Sequence, residues 1–146
     1  MVSETQNETG RLRLLLVDDE VGFSTVMAKR LTRRDMEVTT AFSGSQGIQA
    51  LRAKQFDVAI LDLKMEDMDG IEVLKIFKIM DPNMPVIMLT GHGSDKSANE
   101  GIQHGAYDYL TKPYEFTELL GKIRQAAISI KNERLGSSVA RRLEIT

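Results

Sequence analysis

An apolar run ends in two carboxylates at Leu14-Leu15-Leu16-Val17-Asp18-Asp19. A short run of large aliphatic residues without polar alternation is typical of a β-strand that is covered on both faces, as in a parallel sheet. Four more strand candidates follow along the chain. They cover residues 38–42, 58–61, 86–89 and 107–110.

Segments with helical periodicity separate these strand candidates. Met27 and Leu31 recur at the spacing of one helix face, which predicts a helix over residues 21–34. Ser43 followed by Gln46 is a capping-box signal for a second helix. Strands that alternate with helices in this way predict a doubly wound α/β fold, in which five helices cover both faces of a five-stranded parallel sheet.

The two ends of the chain have weaker patterns. Residues 1–10 are polar and acidic and are predicted to form a flexible tail. The next residues, 11–131, are predicted to form one domain, since 146 residues suit a single domain of ordinary size. Further on, Gly136-Ser137-Ser138 predicts a break in the last helix. Residues 132–146 are therefore interpreted as a C-terminal tail, or as the start of a linker to a missing effector domain.

The composition excludes several classes of function. A content of 42% hydrophobic and 27% charged residues is typical of a soluble globular protein, and a net charge of −2 provides no overall attraction to nucleic acid or to anionic membranes. The absence of cysteine excludes disulfides, zinc–thiolate sites and thiol catalysis. No signal peptide and no bilayer-spanning stretch is apparent. The predicted location is therefore cytoplasmic, with no direct nucleic-acid or membrane partner.

Polar residues follow four of the strand candidates at the point where each strand ends. Asp18 and Asp19 follow the first strand, and Asp62, Thr90 and Lys112 follow the third, fourth and fifth. In doubly wound sheets, ligands bind beyond the carboxyl ends of the strands, so these groups are expected to meet at one edge. Each residue alone is ordinary loop or helix-capping chemistry. Together they favour a ligand site.

The chemistry of these groups suits a divalent metal and a phosphoryl group. Three neighbouring carboxylates repel one another unless a cation such as Mg²⁺ neutralises them. Lys112 and Thr90 add a positive charge and a hydroxyl, which can hold phosphoryl oxygens during a transfer that depends on positioning and charge neutralisation. Asp62 is interpreted as the nucleophile because it stands alone at the end of a central strand.

Several motifs of the sequence, in their order and spacing, strongly resemble the receiver (REC) domain of two-component response regulators, both chemotaxis-regulator-like and nitrogen-regulator-like. They are Leu15-Leu16-Val17-Asp18-Asp19-Glu20, Leu61-Asp62-Leu63-Lys64-Met65 with Met68-Asp69-Gly70, Leu89-Thr90-Gly91, and Lys112-Pro113. The match covers about residues 12–131. It implies a flavodoxin-like three-layer sandwich with strand order 2-1-3-4-5. It also implies a phosphorelay switch that catalyses only its own phosphorylation and dephosphorylation and is not a turnover enzyme.

The resemblance implies how the acidic residues act. Asp62 would accept a phosphoryl group from the histidine of a sensor kinase or of a histidine phosphotransfer protein. Mg²⁺ would be held by Asp19, Asp62 and the backbone carbonyl of Lys64, with Asp18 acting through a metal-bound water. No other cofactor is implied.

The resemblance also implies how the switch is read. Thr90 would bond the phosphoryl group and shift toward it, Tyr109 would turn inward, and Lys112 would pair with the phosphoryl group next to a cis peptide bond to Pro113. The face made by helix 4, strand 5 and helix 5 would then change its preference for an effector protein, for a fused output domain, or for a second copy in a homodimer.

Two features of this sequence qualify the resemblance. The family often has proline after the methionine of the third loop, whereas Glu66 stands at that place here and leaves the stiffness of the loop to be explained. Lys64 and His92 occupy positions that, in the family, flank the phosphoryl group and tune its hydrolysis. For His92, an ordinary solvated loop histidine is the other interpretation.

Three other functions share parts of this pattern. A Mg²⁺-dependent aspartyl-phosphate hydrolase commonly has a second Asp two residues after its nucleophile, but Lys64 is found there. A flavin binder of the same fold class needs a first loop that cradles phosphate, which Asp18-Asp19-Glu20 would repel. A receiver-like module that signals without phosphorylation would not need the complete acidic set.

Overall fold

Five strands form one parallel sheet in the order β2-β1-β3-β4-β5, which confirms the predicted fold class. The computed structural model describes residues 10–91 and 95–145, and side chains in 10–91 and 96–130. Met1–Thr9, His92 and Ser94 lie outside the described residues, as do the predictions made for them. The strands are β1 Leu12–Val17, β2 Met36–Ala41, β3 Val58–Asp62, β4 Val86–Thr90 and β5 Asp108–Thr111.

Helices follow each strand and cover both faces of the sheet. They are α1 Val21–Thr32, α2 Gly44–Ala53, α3 Gly70–Met80, α4 Asp95–Gln103 and α5 Phe116–Ile145. Alternate residues of the strands face opposite layers: Leu14 and Leu16 pack in the core shared with α1 and α5, while Leu15 and Val17 pack in the core shared with α2 and α3. Burial on both faces explains the apolar runs of β1, β3 and β4, whereas the less buried edge strands β2 and β5 also contain polar residues.

The helix ends follow the capping signals of the sequence. The Ser43 hydroxyl accepts a hydrogen bond from the Gln46 N–H at 3.1 Å, as predicted for the start of α2. The Asp69 carboxylate accepts one from the Ile71 N–H at 2.9 Å and caps α3. After α4, Gly105 adopts a φ of +100°, a conformation that favours glycine. These local contacts fix where each crossover leaves and rejoins the sheet.

The last helix differs from the prediction. Its backbone remains helical through Gly136-Ser137-Ser138 and on to Ile145, so the predicted break is wrong. One glycine inside a helix costs only about 1 kcal/mol. Extending a helix that already packs on the sheet needs no new nucleation, so continuation is favoured over a break. None of the helices in the described part of the chain is long and apolar enough to cross a bilayer.

Gly70→Ala is expected to lower the free energy of unfolding by about 1 to 3 kcal/mol, the usual cost of overpacking. A Cβ at this position would clash with the backbone of Leu63, so the loop between β3 and α3 would have to move. Urea denaturation measures the effect. Gly121→Ala is the matched control, because a Cβ there meets nothing within 4 Å and α5 should gain about 0.5 to 1 kcal/mol. Equal effects of the two substitutions would contradict the close packing at Gly70.

Candidate functional site

Three carboxylates lie together at the carboxyl edge of the sheet. Asp18 and Asp19 follow β1, and Asp62 ends β3, whose Leu61 is paired with Val17. One oxygen from each carboxylate lies within 4.8 Å of the others. Asp18 is completely buried and Asp62 is only 4% exposed. Such a concentration of negative charge in a buried place suits a cation.

Backbone N–H groups orient each carboxylate. The Glu20 N–H donates to Asp18 Oδ1 at 3.0 Å, and the Lys64 N–H donates to Asp62 Oδ1 at 3.1 Å. The Glu66 N–H donates to Asp19 Oδ2 at 3.1 Å. The second oxygen of Asp18, Oδ2, is buried and has no hydrogen-bond partner among the described residues. A buried carboxylate oxygen without a donor is costly, so it suits a further ligand at this place.

Lys112 approaches the carboxylates from the end of β5. Its Nζ lies 3.2 Å from Asp62 Oδ2 and 3.7 Å from Asp18 Oδ2. Burial opposes the charge of Lys112, but the negative charges of Asp62 and Asp18 outweigh it and raise the pKa of the ammonium. The peptide bond from Lys112 to Pro113 is cis, as predicted. The ammonium is therefore a fixed positive charge beside Asp62.

Asp18 is the carboxyl group of the cluster whose pKa is raised. Burial raises the pKa of Asp18 to about 6, and the charge of Asp62 adds to the rise, while the Glu20 N–H and the charge of Lys112 oppose it. One lysine therefore does not compensate the buried carboxylates. A divalent cation with oxygen ligands would complete the compensation.

Thr90 lies on β4, the strand next to β3, and Tyr109 lies one strand further away, on β5. Thr90 ends β4 and is 3% exposed, and its hydroxyl lies 3.5 Å from the carbonyl oxygen of Leu110. Tyr109 in β5 is 39% exposed. The edge therefore brings together Asp18, Asp19, Asp62 and Lys112, with Thr90 at the end of the next strand and Tyr109 at the surface.

Two further residues at this edge were not predicted as site residues from the sequence. Tyr114 packs edge-on against Phe23, with ring centroids 6.4 Å apart, and its buried hydroxyl has no partner among the described residues. Burial, and then the charges of Asp18 and Asp62, raise the pKa of that hydroxyl well above its usual range. Its signal in the sequence was an aromatic residue directly after Lys112-Pro113. Asp67, the second, had a weaker signal, an acidic residue two positions before a helix cap.

The motifs of this site also identify the chain. The family model described as the response regulator receiver domain matches residues 14–124, the whole span from β1 into α5. The chain belongs to the response regulator receiver domain family. Receiver domains are phosphoryl-accepting signalling switches of two-component systems. The matches confirm the predicted family and fold, and they confirm the predicted function at the level of the family.

Curated relatives of this receiver domain include transcriptional regulators. The transcriptional regulatory protein GlrR of Escherichia coli (strain K12) is 40% identical over 113 residues, which are 77% of this chain and 26% of the relative. The DNA-binding transcriptional regulator NtrC of Proteus hauseri is 34% identical over 119 residues, which are 82% of this chain and 25% of the relative. The chain thus spans about a quarter of the length of these relatives.

Solved structures show the same receiver fold. The CheY-like response regulator receiver domain protein of Methanospirillum hungatei JF-1 has a TM-score of 0.82 at 29% identity, and the match covers 85% of this chain and 99% of that one. NtrX of Brucella abortus, solved in complex with ADP, has a TM-score of 0.84 at 30% identity, with 88% of this chain and 30% of that chain covered. Both an isolated receiver domain and a part of a longer regulator match this chain.

Proposed function

We propose that Asp62 is the phosphoacceptor of this receiver domain. The observation that carries the proposal is the nearly buried Asp62 carboxylate, with the Lys112 ammonium 3.2 Å away and two further carboxylates beside it. In the proposed step a carboxylate oxygen of Asp62 attacks the phosphorus of a phosphohistidine. The new O–P bond forms as the P–N bond breaks, and the histidine nitrogen leaves with the electron pair. The product is an acyl phosphate.

The same residues suit Mg²⁺. Asp18, Asp19, Asp62 and the backbone carbonyl of Lys64 would hold the ion, with Asp18 acting through a metal-bound water. The donor set is all oxygen, as Mg²⁺ requires, and the buried Asp18 Oδ2 lacks a hydrogen donor. When bound, Mg²⁺ supplies positive charge that offsets the carboxylates and the phosphoryl oxygens. Lys112 contributes the second positive charge from the side of β5.

Thr90 and Tyr109 are proposed to carry the switch. Within the described residues, the Thr90 hydroxyl makes only a long hydrogen bond of 3.5 Å to the carbonyl of Leu110, which leaves it able to turn toward a phosphoryl group on Asp62. Tyr109 is partly exposed in the neighbouring strand, so its ring has an outward position from which to move. The face of α4, β5 and α5 would then change its partner preference.

The proposed partners and setting follow from the family. A sensor histidine kinase or a histidine phosphotransfer protein would donate the phosphoryl group in the cytoplasm. An effector protein or a fused output domain would read it, with homodimerisation as a further output. Because the match covers only about a quarter of regulators such as GlrR, a linker to an output domain is proposed for residues 132–146, after a receiver domain over residues 11–131. Residues 1–10 are proposed as a flexible tail. The domain would act as a signalling switch and not as a turnover enzyme.

Acetyl phosphate is expected to add one phosphoryl group to the chain only when Mg²⁺ is present. Intact-mass spectrometry during incubation with acetyl phosphate, with Mg²⁺ or with EDTA, measures this. The reason is that three carboxylates would repel the incoming phosphoryl group without the ion. Equal phosphorylation in EDTA, or none with Mg²⁺, would contradict the proposal. Steady release of phosphate from a simple phosphate ester would support a hydrolase instead.

A further inference from the structure

The Asp67 carboxylate joins the loop between β3 and α3 to the start of α2. Asp67 Oδ1 accepts a hydrogen bond from the Gly44 N–H at 2.9 Å. Asp67 Oδ2 accepts one from the Ser45 N–H at 3.1 Å and one from the Ser45 hydroxyl at 3.0 Å. The first N–H groups of a helix lack partners within the helix, and its positive end favours a carboxylate. Both oxygens of Asp67 are therefore used in one contact across the surface.

The neighbouring residue of the same loop contacts the metal site. Glu66 donates its N–H to Asp19 Oδ2, so the residue before Asp67 orients one of the proposed Mg²⁺ ligands. An open cleft of about 400 Å³ lies between Asp19, Ser43, Glu66 and Asp67. Asp67 thus lines the same cleft as the Asp19 carboxylate.

The hydrogen bonds between Asp67 and the start of α2 also offer a source of rigidity for the loop between β3 and α3. Glu66 replaces the proline that the family often has, so the loop lacks that source of rigidity. The Gly44 N–H, followed by the Ser45 N–H, lowers the pKa of Asp67, because both hydrogen bonds favour the charged carboxylate. A charge-assisted contact to a helix end is among the stronger hydrogen bonds in proteins.

We propose that Asp67 is a positioning residue for the metal site: by fastening the β3–α3 loop to α2, it holds the Glu66 N–H on Asp19 and the Lys64 carbonyl in place. This inference rests on the proposed function. Groups that orient metal ligands typically affect metal affinity by about 10 to 100-fold, although they do not touch the ion. Because Asp67 acts on the metal ligands only through Glu66 and the rest of the loop, we expect an effect at the lower end of that range.

Asp67→Ala is expected to weaken Mg²⁺ binding by about tenfold. Isothermal titration calorimetry of the whole chain with Mg²⁺ measures the affinity, and amide hydrogen exchange of the metal-free chain measures the mobility of residues 63–69. Exchange in that loop should increase in Asp67→Ala. Asp67→Asn should be intermediate in both measurements, because one of the two acceptor oxygens is retained.

Ser43→Ala is the matched control. The Ser43 hydroxyl caps the same helix end through the Gln46 N–H, and no hydrogen bond within the described residues joins it to the β3–α3 loop. Its removal should lower the melting temperature as Asp67→Ala does, while the Mg²⁺ affinity stays within about twofold of the parent chain.

Two results would overturn the inference alone, provided that the parent chain binds Mg²⁺. One is an unchanged affinity and loop exchange in Asp67→Ala, and the other is an equal loss of affinity in Ser43→Ala. A parent chain that binds no Mg²⁺ would overturn the proposed function together with this inference.

Discussion

Asp62→Asn is expected to abolish phosphorylation of the chain by acetyl phosphate in the presence of Mg²⁺. An amide offers no carboxylate oxygen for an acyl phosphate, and the neighbouring carboxylates are poor substitutes. Asp18 is completely buried, and Asp19 already accepts the Glu66 N–H. Intact-mass spectrometry over a time course measures the result, as the fraction of chains that carry one phosphoryl group.

Asp81→Asn is the matched control for that experiment. Asp81 follows α3 at the end of the helix that is remote from the acidic site, so its substitution makes the same chemical change elsewhere. The control should be phosphorylated at the parent rate. Phosphorylation of Asp62→Asn at the parent rate would show that the phosphoacceptor has been assigned to the wrong residue.

Asp18→Asn is expected to stabilise the metal-free chain at pH 8 by about 2 to 3 kcal/mol. The pKa of Asp18 is raised from 3.8 to about 6 in the folded chain, so the folded state binds its proton more tightly than the unfolded state. Stability therefore falls as the pH rises from about 4 to about 6, and the penalty stays constant above that range. A difference of about two pKa units corresponds to about 3 kcal/mol.

Urea denaturation at pH 4 and pH 8 measures this effect. The gain from Asp18→Asn should be nearly absent at pH 4, where the carboxyl of the parent chain is also neutral. The parent chain should regain stability in Mg²⁺ at pH 8, because a ligand that binds only the folded state stabilises it, whereas the variant should gain much less. An equal gain at both pH values would show that the charge of Asp18 is not the cause.

The sheet and its edge could be predicted because their signals are local. Burial on both faces leaves no polar alternation in β1, β3 and β4, and the residue that ends each strand is visible in the sequence. The capping interaction of Ser43 with Gln46 spans three residues and was equally readable.

The features that the sequence did not predict depend on contacts between residues that are far apart in the chain, or on the balance of small free energies along a helix. Asp67 meets Gly44 across 23 positions, and nothing in either segment alone specifies that contact. The Tyr114 ring, in the loop before α5, packs against Phe23 of α1, which is 91 residues earlier in the chain. The helix α5 continues beyond Gly136 because one glycine costs little in an established helix. The prediction from the sequence overestimated the tendency of Gly136-Ser137-Ser138 to end the helix.

Glu66 is a position at which the sequence raises a question and the structure suggests an answer. Its side chain departs from the family pattern, which left the rigidity of the loop unexplained at the level of the sequence. In the structure, the Glu66 N–H donates to Asp19, and Asp67 accepts hydrogen bonds from the start of α2. These hydrogen bonds are the proposed source of rigidity in the loop in place of a proline ring.

The most direct measurement of the central claim locates the phosphoryl group. The chain is phosphorylated with acetyl phosphate and Mg²⁺ and is then reduced with borohydride, which cleaves an acyl phosphate and converts the modified aspartate to homoserine. Peptide mass spectrometry identifies the position. The proposed function predicts homoserine at position 62 and none in chains that were not phosphorylated. Homoserine at position 18 or 19, or none at position 62, would contradict it.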